Sequence, residues 1–308
     1  MLTSPNRKHN KQFFYKYATA ETAKSILINK TLRFSSPLIF NDPFDVARKL
    51  KFPFNSEELN SGFCNELLCL SQNDPPVSVG NPKLQAIVDA LHNSNPDQRK
   101  QYLNLIKKTF PSRNLDEIES FKKLQQQWES LLYLSRILSI AERNDNPVMW
   151  WCYADNYKGV VIELECIAIY DSPLLLARQV NYTDALPTIG HTIGSLDHYI
   201  KKDQPNRIRY KQLFKEMLEH LELTKTSHWA HEREWRVISF EKDSDQLYSD
   251  YQVHPRMFSK IFFGESMADQ DRQDIKDMIK FDLPHMEIYE MIVNHDCRQI
   301  QFRPRQEK

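Results

Sequence analysis

Glycine is scarce in this chain, with six residues in 308. That scarcity counts against loops whose bare backbone wraps a phosphate, and neither a GxGxxG fingerprint nor a P-loop occurs. Cysteine is sparse as well. Cys64, Cys69, Cys152, Cys166 and Cys297 are odd in number and contain no CxxC pair, and no apolar N-terminal stretch marks a signal peptide, so a reduced, cytoplasmic chain is expected. Net charge is missing too: 41 Lys and Arg face 41 Asp and Glu, so no global field recruits nucleic acid or an anionic membrane. Apolar runs such as Leu174-Leu175-Leu176-Ala177 fall far short of the roughly 20 residues that span a bilayer. No internal repeat or low-complexity tract is found.

What remains is a globular chain, 41% hydrophobic and long enough for one large domain or two ordinary ones. Residues 1–12 are polar and basic and read as a flexible tail. Phe13-Phe14-Tyr15-Lys16-Tyr17 then reads as a strand. Thr19 is placed to cap a helix whose apolar face is Ala23, Ile26 and Leu27, and Thr31–Ser35 reads as a second strand. From about 55 to 133 the apolar spacing turns helical, with segments near 83–93, 97–109 and 115–133. Strands are expected at 137–140, 160–164, 178–182, 233–240, 259–263 and 286–291, with a Pro147-initiated helix and helices near 207–222 and 268–280. Separated short strands with interposed helices point to an α+β fold: a single domain over 13–308 with a helical insertion at about 55–133.

The densest chemistry lies in His228-Trp229-Ala230-His231-Glu232-Arg233-Glu234-Trp235-Arg236-Val237. Read as a strand, it puts Glu232, Glu234 and Arg236 on one face and Trp235 and Val237 on the other. Two carboxylates side by side repel, so they call for a ligand, a partner or the intervening arginine; the alternative is a solvated edge strand screened by Arg236. Asn41, Asp42 and Asp45 around Pro43 read either as an Asx-type turn or as ligand contacts. Ser35 and Ser36 precede Pro37 and either end a strand or line a site. His228, His231 and Glu232 lack HExxH spacing, so no metal site is expected.

Several blocks carry a resemblance in order: Tyr15-Lys16-Tyr17, Leu32–Pro37, Phe40-Asn41-Asp42-Pro43-Phe44-Asp45, Met149-Trp150 with Tyr153–Gly159, Trp229 with Glu232 and Glu234-Trp235-Arg236, and Ile261–Gly264. Over residues 13–291 they resemble the signature blocks of the bacterial family catalogued as domain of unknown function 2971. More weakly, the order of elements resembles the ADP-ribosyltransferase fold, which implies a split mixed sheet that binds NAD. The matching positions are Lys16 or Tyr17, then Ser35 and Ser36 or Tyr153, then Glu232-Arg233-Glu234.

That resemblance implies an enzyme that transfers ADP-ribose from NAD to a protein or nucleic-acid acceptor, or cleaves NAD, as a bacterial toxin or phage-defence effector. No membrane partner is implied. Glu234 would stabilise the ribosyl cation and Glu232 would act on the nucleophile. Tyr17, Trp150 or Tyr153 would stack on nicotinamide, Arg236 or Lys16 would pair with the pyrophosphate, and Tyr15, Asn41, Asp42 and Tyr157 would complete the nucleotide site; the other reading of Tyr15, Tyr17, Trp150 and Trp151 is core or rim packing, the commoner use of large aromatics. The alternative is a catalytically inactive module that binds a nucleotide or a protein. An enzyme would hold Glu234 buried in an open cleft opposite Tyr17 with no packing reason for its carboxylate, whereas a module would tie it up in surface salt bridges.

Overall fold

The computed structural model describes residues 7–50, 55–79, 82–109, 119–185, 222–294 and 298–305. The chain divides into two compact units, the first drawn from Met1–Val46, Leu131–Asp184 and Leu223–Lys308 and the second from Ala47–Ser130 and Ala185–Glu222.

The first unit opens as its sequence patterns require. Strand β1 (Phe13–Ala18) leads into helix α1 (Ala20–Asn29), where the Thr19 side chain accepts the Thr22 amide and Ala23, Ile26 and Leu27 are buried. Strand β2 (Thr31–Ser35) follows. Farther along come β3 (Arg136–Ala141), a short helix Pro147–Tyr153 capped by Asn146, and β4 (Val160–Glu165). The region 178–182 divides into β5 (Arg178–Gln179) and β6 (Asn181–Tyr182), and β7 is only Thr224–Lys225. Then come β8 (Glu234–Ser239), β9 (Tyr248–Gln252), β10 (Phe258–Phe263), the helix Asp269–Asp282, β11 (Glu287–Asn294) and β12 (Gln299–Pro304). The fold is α+β.

A large mixed sheet runs β12-β11-β10-β4-β1-β3-β2-β9, with β8 added to β3 and β5 to β8; β10 and β11 are parallel. Its irregular centre positions the site. β3 pairs with β8 along its whole length, from Arg136↔Ser239 to Ala141↔Glu234. It meets β1 only at Tyr15↔Ala141 and β2 only at Ser35↔Ile137. Between those two points β1 and β2 diverge from β3, and the sheet opens.

Alternation assigns the two faces. Phe14, Leu138, Ile140, Ile162, Trp235 and Val237 enter one core with α1 and the helix Asp269–Asp282, which lies against it. Tyr17, Ala141, Trp150, Val161, Phe262 and Met291 form the core of the opposite face. Gly264 has a steric reason: a Cβ there would fall inside contact distance of the Tyr157 and Gly159 carbonyl oxygens.

The second unit is helical. Helices α2 (Ser56–Ser71), α3 (Pro82–His92) and α4 (Pro96–Thr109) and most of α5 (Glu119–Leu134) belong to it, with Phe63, Leu67, Leu70, Val88 and Leu91 in its core. The segments expected at 83–93 and 97–109 match α3 and α4. The first residues of the 115–133 segment, and all but the last of 207–222, lie outside the described residues. Among the described residues no helix is long and apolar enough to cross a membrane.

Candidate functional site

The opening between β1 and β3 is a half-open cleft of about 120 Å³. Tyr15, Lys16 and Tyr17 line it from β1, Ser139, Ile140 and Ala141 from β3, Phe40, Asn41 and Asp45 from the loop after β2, Met149 and Tyr153 from the short helix, Lys225 from β7, Glu232 from the turn before β8 and Glu234 from β8. An apolar cavity of about 150 Å³ takes a benzene molecule, so this volume seats one ring-sized group.

Glu234 and Arg236 point to the cleft face of β8 and Trp235 and Val237 to the core, as alternation requires. Glu232 reaches the site differently: it ends a 3₁₀ turn, Ser227–Glu232, and Arg233 after it is left-handed at φ 45°, ψ 50°. The reading of Glu232 as a strand residue is therefore corrected. The kink at Arg233 still delivers its carboxylate to the same cluster, and the left-handed conformation costs a non-glycine residue about 1–2 kcal/mol.

Three buried carboxylates share two buried cations there. Arg236, wholly enclosed, donates from Nε to Glu234 Oε1 at 2.8 Å and from Nη2 to both Asp45 oxygens at 2.8 and 2.6 Å. Lys225 Nζ lies 2.5 Å from Glu232, 3.1 Å from Glu234 and 3.5 Å from Asp45, and 5.0 Å from the Trp229 ring centroid. Tyr153 donates to Glu232 Oε1 at 2.6 Å. The Glu234 amide donates to the Tyr182 hydroxyl at 2.7 Å.

The environments push the two glutamates apart. Burial alone would raise Glu234, but Arg236 and Lys225 hold it down to about 2, so it is ionised throughout the physiological range. Burial raises Glu232 above the usual carboxylate range against the pull of Lys225, and the like charge of Glu234 adds to the rise. Burial likewise opposes ionisation of Asp45. Burial and the Glu232 charge raise the Tyr153 hydroxyl. A pair of carboxylates separated in this way is the usual mark of divided acid–base roles.

The remaining expected site residues divide between cleft and core. Tyr15, Lys16, Tyr17, Asn41 and Tyr153 line the cleft. Tyr17 donates to Arg143 O at 2.9 Å with its ring edge-on to Trp150, and Tyr15 turns its hydroxyl to the buried Glu163. The others serve structure. Trp150 is wholly buried, donates to Asn144 O at 2.6 Å and stacks on Tyr157, whose hydroxyl donates to Pro147 O. Ser36 donates to Leu132 O at 2.7 Å and caps the turn Pro37–Ile39, while Ser35 pairs within the sheet. Asp42 accepts the Phe44 amide in an Asx-type turn. Arg236 gives its guanidinium to Asp45 and Glu234 and faces inward.

Sequence reasoning missed Lys225 at the centre of the network, and also Ser139 and Phe40. Asp45 was read as a turn residue or a ligand contact, and its pairing with Arg236 and Lys225 is neither. The available signal was electrostatic: two glutamates on a buried strand end need more compensation than one arginine, and Lys225 is a cation shortly upstream. Among the described residues no group of three or more His, Cys, Asp or Glu side chains is arranged to hold a metal ion.

Residues 149–237 match the model of a family described as Protein of unknown function (DUF2971). The match spans Tyr153, Lys225, Glu232, Glu234 and Arg236, and over this stretch it supports the resemblance drawn from the sequence blocks. No curated protein and no solved structure matches the chain.

Proposed function

We propose that this protein is an ADP-ribosyltransferase-like enzyme that cleaves the nicotinamide–ribose bond of NAD and passes the ADP-ribosyl group to water or to a macromolecule. The observation that carries the reading is the pair of glutamates with separated ionisation on one aromatic-walled cleft. The divergence of β1 from β3 supports likeness to the split sheet of that fold. Breaking the bond sends its electron pair onto nicotinamide and leaves positive charge on ribose, which the fixed negative charge of Glu234 stabilises. The incoming nucleophile gives its proton to Glu232, whose raised pKa brings it nearer the working pH. Tyr15, Tyr17, Phe40 and Tyr153 supply ring surface for nicotinamide, and the cleft volume suits that ring alone, so the rest of NAD would lie beyond it.

Mass spectrometry of NAD incubated with the pure protein and with cell lysate tests this. Free nicotinamide, alone or with proteins or nucleic acids gaining ADP-ribose, is the expected result. Absence of both overturns it and leaves a nucleotide- or protein-binding module. That second reading has its own support: Glu234 is already paired by Arg236 and Lys225, as a purely structural carboxylate would be. A toxin or phage-defence role follows only from the enzyme reading and is tested by growth and phage plating of cells expressing the protein and its E232Q variant.

A further inference from the structure

Two lysines line the cleft in opposite circumstances. Lys225 touches three carboxylates. Lys16, half-buried on β1, donates to the Ser139 carbonyl at 2.9 Å, and among the described residues it has no other acceptor and no carboxylate forms an ion pair with it. Its position follows from the topology: β1 and β3 pair only at Tyr15↔Ala141, and the Lys16 side chain crosses the gap where they separate. Burial presses its pKa below the usual lysine range, opposed only by Glu234. Tyr15 and Tyr17 flank it on β1, and Glu232, Glu234, Lys225 and Asp45 line the same cleft. Lysines held without a counter-ion in such surroundings act as nucleophiles and bases.

We propose that Lys16 is a nucleophilic amine that forms an imine with ring-sized aldehydes seated in this cleft. The Nζ lone pair adds to the carbonyl carbon and the π pair moves to oxygen. That oxygen takes up two protons through Glu232 and Tyr153 and leaves as water. The two amine protons return to the same groups, and a C=N bond remains. The aldehyde is the only co-reactant. The inference does not depend on NAD chemistry, because it uses the amine and its surroundings alone.

The full-length protein is incubated at pH 7.5 with pyridine-3-carbaldehyde and sodium cyanoborohydride, whose hydride reduces the imine to a stable secondary amine, and adducts are mapped by peptide mass spectrometry. Lys16 should be alkylated at least about tenfold faster than the exposed Lys158 and Lys280 of the same molecules. Because the comparison is internal, it needs no variant that might fail to fold. Lys16 reacting no faster than those two overturns the proposal, whatever the NAD assay shows.

Discussion

Glu234 carries two consequences that pull against each other. Its carboxylate is held ionised by Arg236 and Lys225, which suits an anion that faces a transition-state cation, yet removing it takes a shared acceptor from two buried cations, leaving Arg236 to Asp45 and Lys225 to Glu232 and Asp45. Glu234→Gln should therefore cost stability as well as turnover, about 3 kcal/mol by denaturant titration at pH 7. The pH dependence identifies the cause. Because the folded value is depressed from 4.5 to about 2, the stabilisation is complete above 4.5 and is lost as pH falls through 2; it amounts to about 3 kcal/mol. The gap between parent and variant should narrow as pH is lowered from 4.5 toward 3. A gap independent of pH would assign the loss to shape and not to charge. Lys225 gives the complementary test, since Lys225→Met leaves three carboxylates with Arg236 alone. Adding Glu232→Gln removes one of those charges and should return part of the loss, a coupling of about 1–3 kcal/mol in a double-mutant cycle.

At the scale of elements, the turn into β8 decides whether Glu232 belongs to the site at all. Arg233 sits at φ 45°, a conformation that β-branched residues resist more than others. Arg233→Val should cost about 2 kcal/mol, whereas Arg233→Gly should be nearly neutral, because relief of strain is offset by the freer unfolded chain. Thermal melts of the two variants check this, and equal effects would mean that the left-handed turn is not what holds Glu232. The same turn shows where sequence reading reaches its limit. The Thr19 cap, the Asn146-Pro147 helix start and the Trp235/Val237 alternation were legible because each rests on neighbours in the chain. The kink at Arg233 was not, since nothing local distinguishes a strand residue from one turned into a cluster by Lys225. β9 and β12, at the two ends of the sheet path, were missed for different reasons: β9 is mostly polar and becomes a strand by pairing with β2, whereas in β12 only Ile300 and Phe302 alternate, a signal too short to stand out although both pack against the core. Trp150 shows the converse, a motif residue whose size is used for packing while the smaller polar tip of Tyr153 meets Glu232.

At the scale of the whole molecule, the cleft is assembled from three distant stretches of one unit, with β1 and the loop ending at Asp45 in the first, β3 and Tyr153 in the second, and Lys225 through Arg236 in the third. Glu232 is where all three meet, touching Lys225 of its own stretch and Tyr153 of another, in a network that Asp45 joins from the first. Its protonation is thus a property of the assembled fold. If Glu232 is the base for NAD cleavage, the rate should climb with pH as it ionises, with a midpoint above the ordinary 4.5, because burial raises the group. Tyr153→Phe removes a hydrogen bond that favours the anion, so this acid limb should move to higher pH while the plateau rate changes less. Glu232→Gln should abolish the limb and lower the rate by about 10²-fold or more. Nicotinamide release measured from pH 4 to 9 on the three proteins decides the matter. An acid limb that stays in place in Tyr153→Phe, or survives in Glu232→Gln, would assign the titration to another group and remove Glu232 from the chemistry.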